Sequence, residues 1–166
     1  MITHETKFDR DASGKKLLIT RDFSAAIDKV WRAWTESSLL DQWWAPKPYK
    51  TETKSLRFET GGLWLYAMAG PEGDTHWCRV DIQEVDKPKS FRSTAGFCDE
   101  NGTPNETAPL MHWFAQFSST EAGTRLTLEV GFDSEADLET IVQMGFKEGF
   151  TSALGNLDLM LESDQK

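Results

Sequence analysis

The sequence predicts an α+β fold in which a curved antiparallel β-sheet wraps a long C-terminal helix. Three observations lead there. From Ser134 to Leu161, apolar side chains recur at spacings of three and four, the stripe of an amphipathic helix. From Tyr49 to Phe132 the chain instead breaks into short alternating segments separated by Gly, Pro, Asn and Asp, the pattern of an antiparallel meander. Ahead of that meander, one strand and two short helical stretches make a corner.

Residues 1–15 are charged and aperiodic and are expected to form a loosely docked polar arm, with a single domain over residues 16–163. Lys16 to Phe23 alternates and is expected to be a strand. Ser24 then caps a helix over Ala25 to Thr35, whose buried stripe is Ile27, Val30, Trp31 and Trp34. A second helix runs from Ser37 to Trp44, ended by Pro46-Lys47-Pro48. The meander gives strands Tyr49–Phe58, Leu63–Ala69, Thr75–Val85, Lys89–Phe97, Pro109–Ser118 and Thr124–Phe132. Gly61-Gly62, Gly70 to Gly73 and Asp86 to Pro88 supply turns between them. The last helix starts at a Ser134 cap with Glu135, Asp137 and Glu139 near its positive end. Leu138, Ile141, Val142, Phe146, Phe150, Ala153, Leu154, Leu157 and Leu161 form its apolar face. Gly145, Gly149 and Gly155 interrupt that helix at about 1 kcal/mol each relative to alanine. Close helix-on-sheet packing and an unfilled volume beneath the helix both account for them, and both readings stay open.

Composition narrows the function. With 39% hydrophobic residues, 166 residues build a core without metals or disulfides. No apolar run has the length of a membrane span, and the polar start does not resemble a signal peptide, so a cytoplasmic protein is expected. A net charge of -9 argues against nucleic acid and anionic membranes as partners. Cys78 and Cys98 lie in no CxxC or Cys/His cluster, so free thiols and no metal or other cofactor are expected. Seven tryptophans and ten phenylalanines supply large apolar walls, for a core or for a pocket.

Several motifs in order carry a resemblance. They are Arg21-Asp22-Phe23, Val30-Trp31-Arg32-Ala33-Trp34-Thr35, Leu40-Asp41-Gln42-Trp43-Trp44-Ala45-Pro46, Gly61-Gly62, Pro71-Glu72-Gly73, Gly123-Thr124-Arg125-Leu126 and Gly149-Phe150-Thr151-Ser152-Ala153-Leu154. Together, over residues 16–161, they resemble the homologues of the activator of the 90-kilodalton heat-shock protein ATPase. That family lies within the START-like, birch-pollen-allergen-like superfamily (SRPBCC). The resemblance implies the helix-grip fold, with a deep hydrophobic cavity between sheet and C-terminal helix. Phe150 stands where the family usually has tryptophan, and Glu59 where a basic residue often precedes the glycine pair. The eukaryotic activator joins such a domain to an N-terminal chaperone-binding domain, for which 166 residues leave no room, so chaperone activation is not expected.

The superfamily's ligand site would be lined by strand residues facing the helix. Alternation nominates Trp64, Tyr66 and Met68 on one strand and Cys78, Val80 and Ile82 on the next. On Pro109–Ser118 both parities hold large apolar residues, so His112 and Trp113 are both retained. Phe146, Gly149, Phe150 and Ala153 would form the opposite wall, with Trp43 or Trp44 at one end. For any one of these residues ordinary core packing is the favoured reading, because periodicity does not tell a filled space from an empty one. The leading expectation is a binding module holding a small lipid-like or aromatic molecule, with no catalytic residue assigned. One alternative is a cyclase- or hydratase-like enzyme using His112, His76 or Tyr66, with Glu84 and Asp81 as further titratable groups. The other is an interaction role, as a co-chaperone or homodimer, through exposed aromatics such as Trp77 and Trp43.

Overall fold

A computed structural model describes residues 5–164. The chain forms β1 (Lys7–Arg10), β2 (Lys16–Phe23), α1 (Ile27–Thr35), α2 (Ser37–Trp43), β3 (Lys50–Leu56), β4 (Leu63–Ala69), β5 (Thr75–Asp86), β6 (Ser90–Cys98), β7 (Met111–Ser119), β8 (Thr124–Gly131), α3 (Glu135–Gln143) and α4 (Phe146–Asp164). All strand pairs are antiparallel, and the sheet runs β1-β2-β8-β7-β6-β5-β4-β3. A curved sheet, a long C-terminal helix and two short helices after β2 make the helix-grip arrangement.

Alternation sets the inner face. In β2, Leu17, Ile19, Arg21 and Phe23 are buried while their neighbours are not. In β8, Thr124, Leu126, Leu128 and Val130 do the same. Pairing of β7 with β8 settles the face that sequence left open: Trp113 lies opposite Val130, Ala115 opposite Leu128 and Phe117 opposite Leu126, so these three point inward. His112 lies opposite Gly131 and faces outward.

The arm differs from its expectation. Residues 1–4 lie outside the described residues, but Lys7–Arg10 pairs with β2 as an edge strand. Arg10 bonds Glu139 of α3, and Lys147 of α4 lies 6.0 Å from the Phe8 ring centroid. A four-residue polar strand gives too short an alternation to be read from sequence.

Two helix boundaries also move. Ala26, without a side-chain cap, precedes α1, so Ser24 does not cap it. Residues before α1 are held to the β7–β8 turn instead: Thr124 Oγ1 donates to Ala25 O at 2.7 Å, and Gly123 sits so close that a Cβ there would lie 2.2 Å from Phe23 O. The final helix is not continuous from Ser134. The Ser134 cap forms, with Asp137 N donating to its hydroxyl at 3.1 Å. Gly145, however, adopts φ +93°, and its N–H bonds Val142 O, ending α3 before α4 begins. Only glycine enters that left-handed conformation without penalty, so Gly145 is a helix stop and not a packing device.

Candidate functional site

The interior is walled by rings. Trp34 lies 4.9 Å from Trp43 and 5.6 Å from Trp44 between ring centroids, and Trp44 lies 5.4 Å from Trp64 and 5.9 Å from Trp113. Most of these pairs meet edge to face, the geometry favoured by ring quadrupoles. The short link after α2 places two consecutive tryptophans in different surroundings. Trp43 is 1% exposed and donates Nε1 to Ala33 O at 2.9 Å, while Trp44 is half-buried and donates Nε1 to the Tyr66 hydroxyl, also at 2.9 Å.

A cavity of about 30 Å³ lies among Trp34, Leu40, Trp44, Phe58, Trp64, Val80, Phe91, Ser93 and Trp113. It has room for about one or two water molecules. No α4 residue borders it. The space beneath Phe146 to Ala153, expected to be hollow, is filled by rings: Phe150 packs against Trp113 at 5.6 Å and against Trp34 and Trp44 at 6.3 Å, with Phe146 stacked on it at 5.5 Å. The residual space lies instead between the α1–α2 corner and the strands. Of its walls, only Trp44 and Phe58 are part-exposed, so any opening runs past these two rings.

Trp44, Trp64, Val80 and Trp113 of the predicted lining border this cavity. Tyr66, Ile82, Phe150 and Ala153 belong to the same buried cluster without touching it, and Met68 and Phe146 pack on its margin. Gly149 faces the loop after α2, where an added Cβ would meet only Pro46 Cγ at 3.7 Å, and it is not among the walls of this cavity. His112 is excluded from the interior by strand parity. Trp34, Leu40, Phe58, Phe91 and Ser93 were missed. Trp34 carried a signal, as part of the α1 stripe, but periodicity assigned it to core and nothing in the sequence marks which core residues border a gap.

Polar groups inside this wall are few. Trp34 and Trp113 each have a buried indole N–H with no partner. An unmade hydrogen bond at a buried donor costs about 1–3 kcal/mol, so these two groups are unmet polar demand within the ring wall, beside Arg21 Nε and Thr51 Oγ1 elsewhere in the interior. Burial, then the neighbouring Cys78, raises the Tyr66 hydroxyl well above its ordinary pKa. Burial likewise pushes the Cys78 thiol up to about 11. Both groups are therefore neutral near pH 7, a hydrogen-bonding hydroxyl and an unreactive thiol.

The acid–base constellation considered from sequence does not assemble. His112 is exposed on the outer face, 3.0 Å from Asp133 Oδ1 and 3.1 Å from Thr94 Oγ1. His76 is exposed beside Asp74, at 3.4 Å. Asp81 is held by Arg79 at 2.7 Å, and Glu84 is exposed near Arg92. None of these meets Tyr66 at one space. Trp43, named as a possible contact surface, is core, while Trp77 is half-buried with Lys54 5.9 Å from its ring centroid. Among the described residues, no group of three or more His, Cys, Asp or Glu is placed to hold a metal ion, and no helix is long and apolar enough to cross a membrane.

Comparison with known proteins adds to this geometry. The family profile described as "Activator of Hsp90 ATPase homolog 1-like protein" matches residues 24–162. A crystal structure of a Mycobacterium smegmatis protein is similar with a TM-score of 0.86 and 29% identity, covering 94% of this chain and 96% of that one. A solution structure from Arthrobacter aurescens is similar with a TM-score of 0.88 and 27% identity, over 95% of this chain and 91% of that one. The crystal structure of the AHSA1 protein from Silicibacter pomeroyi shares the fold at a TM-score of 0.71 and 24% identity, over 90% and 99% of the two chains. Comparison with curated proteins gives no match.

Proposed function

Because this chain belongs to the family of Activator of Hsp90 ATPase homolog 1-like proteins, we propose that it is a binding module for a small aromatic molecule carrying a hydrogen-bond acceptor. The pair of unpartnered indole donors, Trp34 Nε1 and Trp113 Nε1, carries this reading. A hydrocarbon core needs no such groups, and a ligand carbonyl between the rings would give them a partner. The surrounding rings supply the apolar contact area, at roughly 25 cal/mol per Å² removed from water.

Volume sets the terms. Ligand sites enclose about 300–1,000 Å³, far above the 30 Å³ of the resting interior. Binding therefore requires a ring to move, and Trp44 is the ring placed to do so. It is half-buried, follows directly on α2, and makes one side-chain hydrogen bond, to Tyr66. Breaking that bond costs about 1 kcal/mol, and the ring contacts with Trp34, Trp64 and Trp113 given up with it would have to be replaced by contacts with the ligand. A long lipid chain would need several walls displaced at once, so a compact aromatic fits this interior better. The test is a thermal-shift screen of the purified chain against aromatic ketones and matched hydrocarbons, with native mass spectrometry for bound material. A rise in Tm for ketones, reduced in Trp113→Phe, supports the reading. A bare chain with no shift for any compound contradicts it.

A further inference from the structure

Trp43 and Trp44 separate two spaces: Trp44 borders the interior cavity, and Trp43 borders a surface cleft of about 370 Å³ at the foot of α2. This volume falls within the range of small-molecule sites. Its lining combines the carbon surfaces of Ala45, Pro48 and Tyr49 with the exposed Lys47 and Lys50. Neither lysine has an ion-pair partner among the described residues. The cleft's one carboxylate, Asp41, has its Oδ1 committed to Thr53, accepting from N at 3.1 Å and from Oγ1 at 2.6 Å. Within the lining two cations stand against one anion, while Asp74, outside the lining, is taken up by the Tyr49 hydroxyl, which donates to it. Its wall is fixed in place by Asn156 of α4, whose Nδ2 donates to Ala45 O at 3.1 Å and Trp43 O at 3.4 Å. A preformed wall lowers the ordering cost of binding.

We propose that this cleft is a binding site for a small organic acid, with Lys47 and Lys50 taking the carboxylate and Pro48, Ala45 and Tyr49 packing on its carbon frame. It is independent of the interior site, and each can fail without the other. The test uses the full chain, ¹⁵N-labelled and titrated with benzoate, with inorganic phosphate in parallel. Saturable shifts of the Asn156 side-chain amide without movement of the Trp113 indole signal are expected, with phosphate binding more weakly. The double variant Lys47→Ala/Lys50→Ala changes only exposed side chains, so its Tm should stay unchanged while benzoate binds about tenfold more weakly or worse. Absence of saturable shifts, shifts centred on Trp113, equal binding of phosphate, or undiminished binding by the double variant would each overturn the assignment.

Discussion

Arg21 of β2 meets Asp158 of α4 at 2.5 Å, with its side chain 4% exposed beneath the helix. The same guanidinium donates to Asp22 O at 3.3 Å and lies 5.4 Å from the Phe23 ring centroid, while its Nε has no partner. A cation on the inner row of a strand is tolerable only with a counter-charge, and α4 brings it. The pair thus fastens the C-terminal helix to the sheet, beyond the rings that fill the interior.

Removing one member should strand the other. Asp158→Ala is expected to cost about 3 kcal/mol, because the Arg21 charge is left buried and uncompensated. Replacing both, Arg21→Met with Asp158→Leu, should cost less than the single change. Urea unfolding midpoints measure both. A loss of less than about 0.5 kcal/mol for Asp158→Ala would place this pair with ordinary surface ion pairs.

The glycines of the last two helices should respond with opposite signs. Gly145→Ala forces a Cβ into the left-handed region and should destabilise by about 1–2 kcal/mol. Gly149→Ala meets only Pro46 Cγ at ordinary contact distance, and an added Cβ at Gly155 meets nothing within 4 Å. Each should therefore stabilise by up to about 1 kcal/mol, the helix-propensity difference. Thermal unfolding of the three variants checks the signs, and a stabilised Gly145→Ala would contradict the helix stop.

Stability should fall in alkali through Cys78. Its pKa rises from 9.0 unfolded to about 11 folded, because burial disfavours the thiolate. The folded state then holds this proton more tightly, so the contribution is whole below pH 9 and is lost as pH rises through 11. The loss is on the order of 2 kcal/mol. Tyr66, shifted in the same direction, adds to it at higher pH. Comparing denaturation midpoints of the native chain and Cys78→Ala across this window isolates the thiol. A constant difference between the two would mean that Cys78 titrates normally.

Much of this architecture was legible because alternation and helical spacing are local signals. Leu63–Ala69 has the bounds expected from sequence, and the Ser134 cap forms as its Ser-x-x-Asp spacing implies. Where sequence fell short, the deciding contact was remote or the signal ran through a break. Apolar residues continue in period from Val142 to Phe146, so nothing local shows that Gly145 stops the helix. The inward row of β7 depended on its register with β8, which made Trp113 interior and His112 exterior. Periodicity gave the facing of Phe150 but not that its ring closes the space once expected to be open. Filling is a property of side chains from several elements together, and no single stretch records it.

The central claim, that ligands enter among these rings and satisfy two idle donors, is tested most directly by the indole N–H spectrum of the ¹⁵N-labelled chain. Its seven tryptophans give one side-chain signal each. On adding an aromatic ketone, the Trp34 and Trp113 signals are expected to move downfield as they gain an acceptor, and the Trp44 signal to move as its bond to Tyr66 breaks. Seven stationary signals across the series, with Tm unchanged, would contradict it.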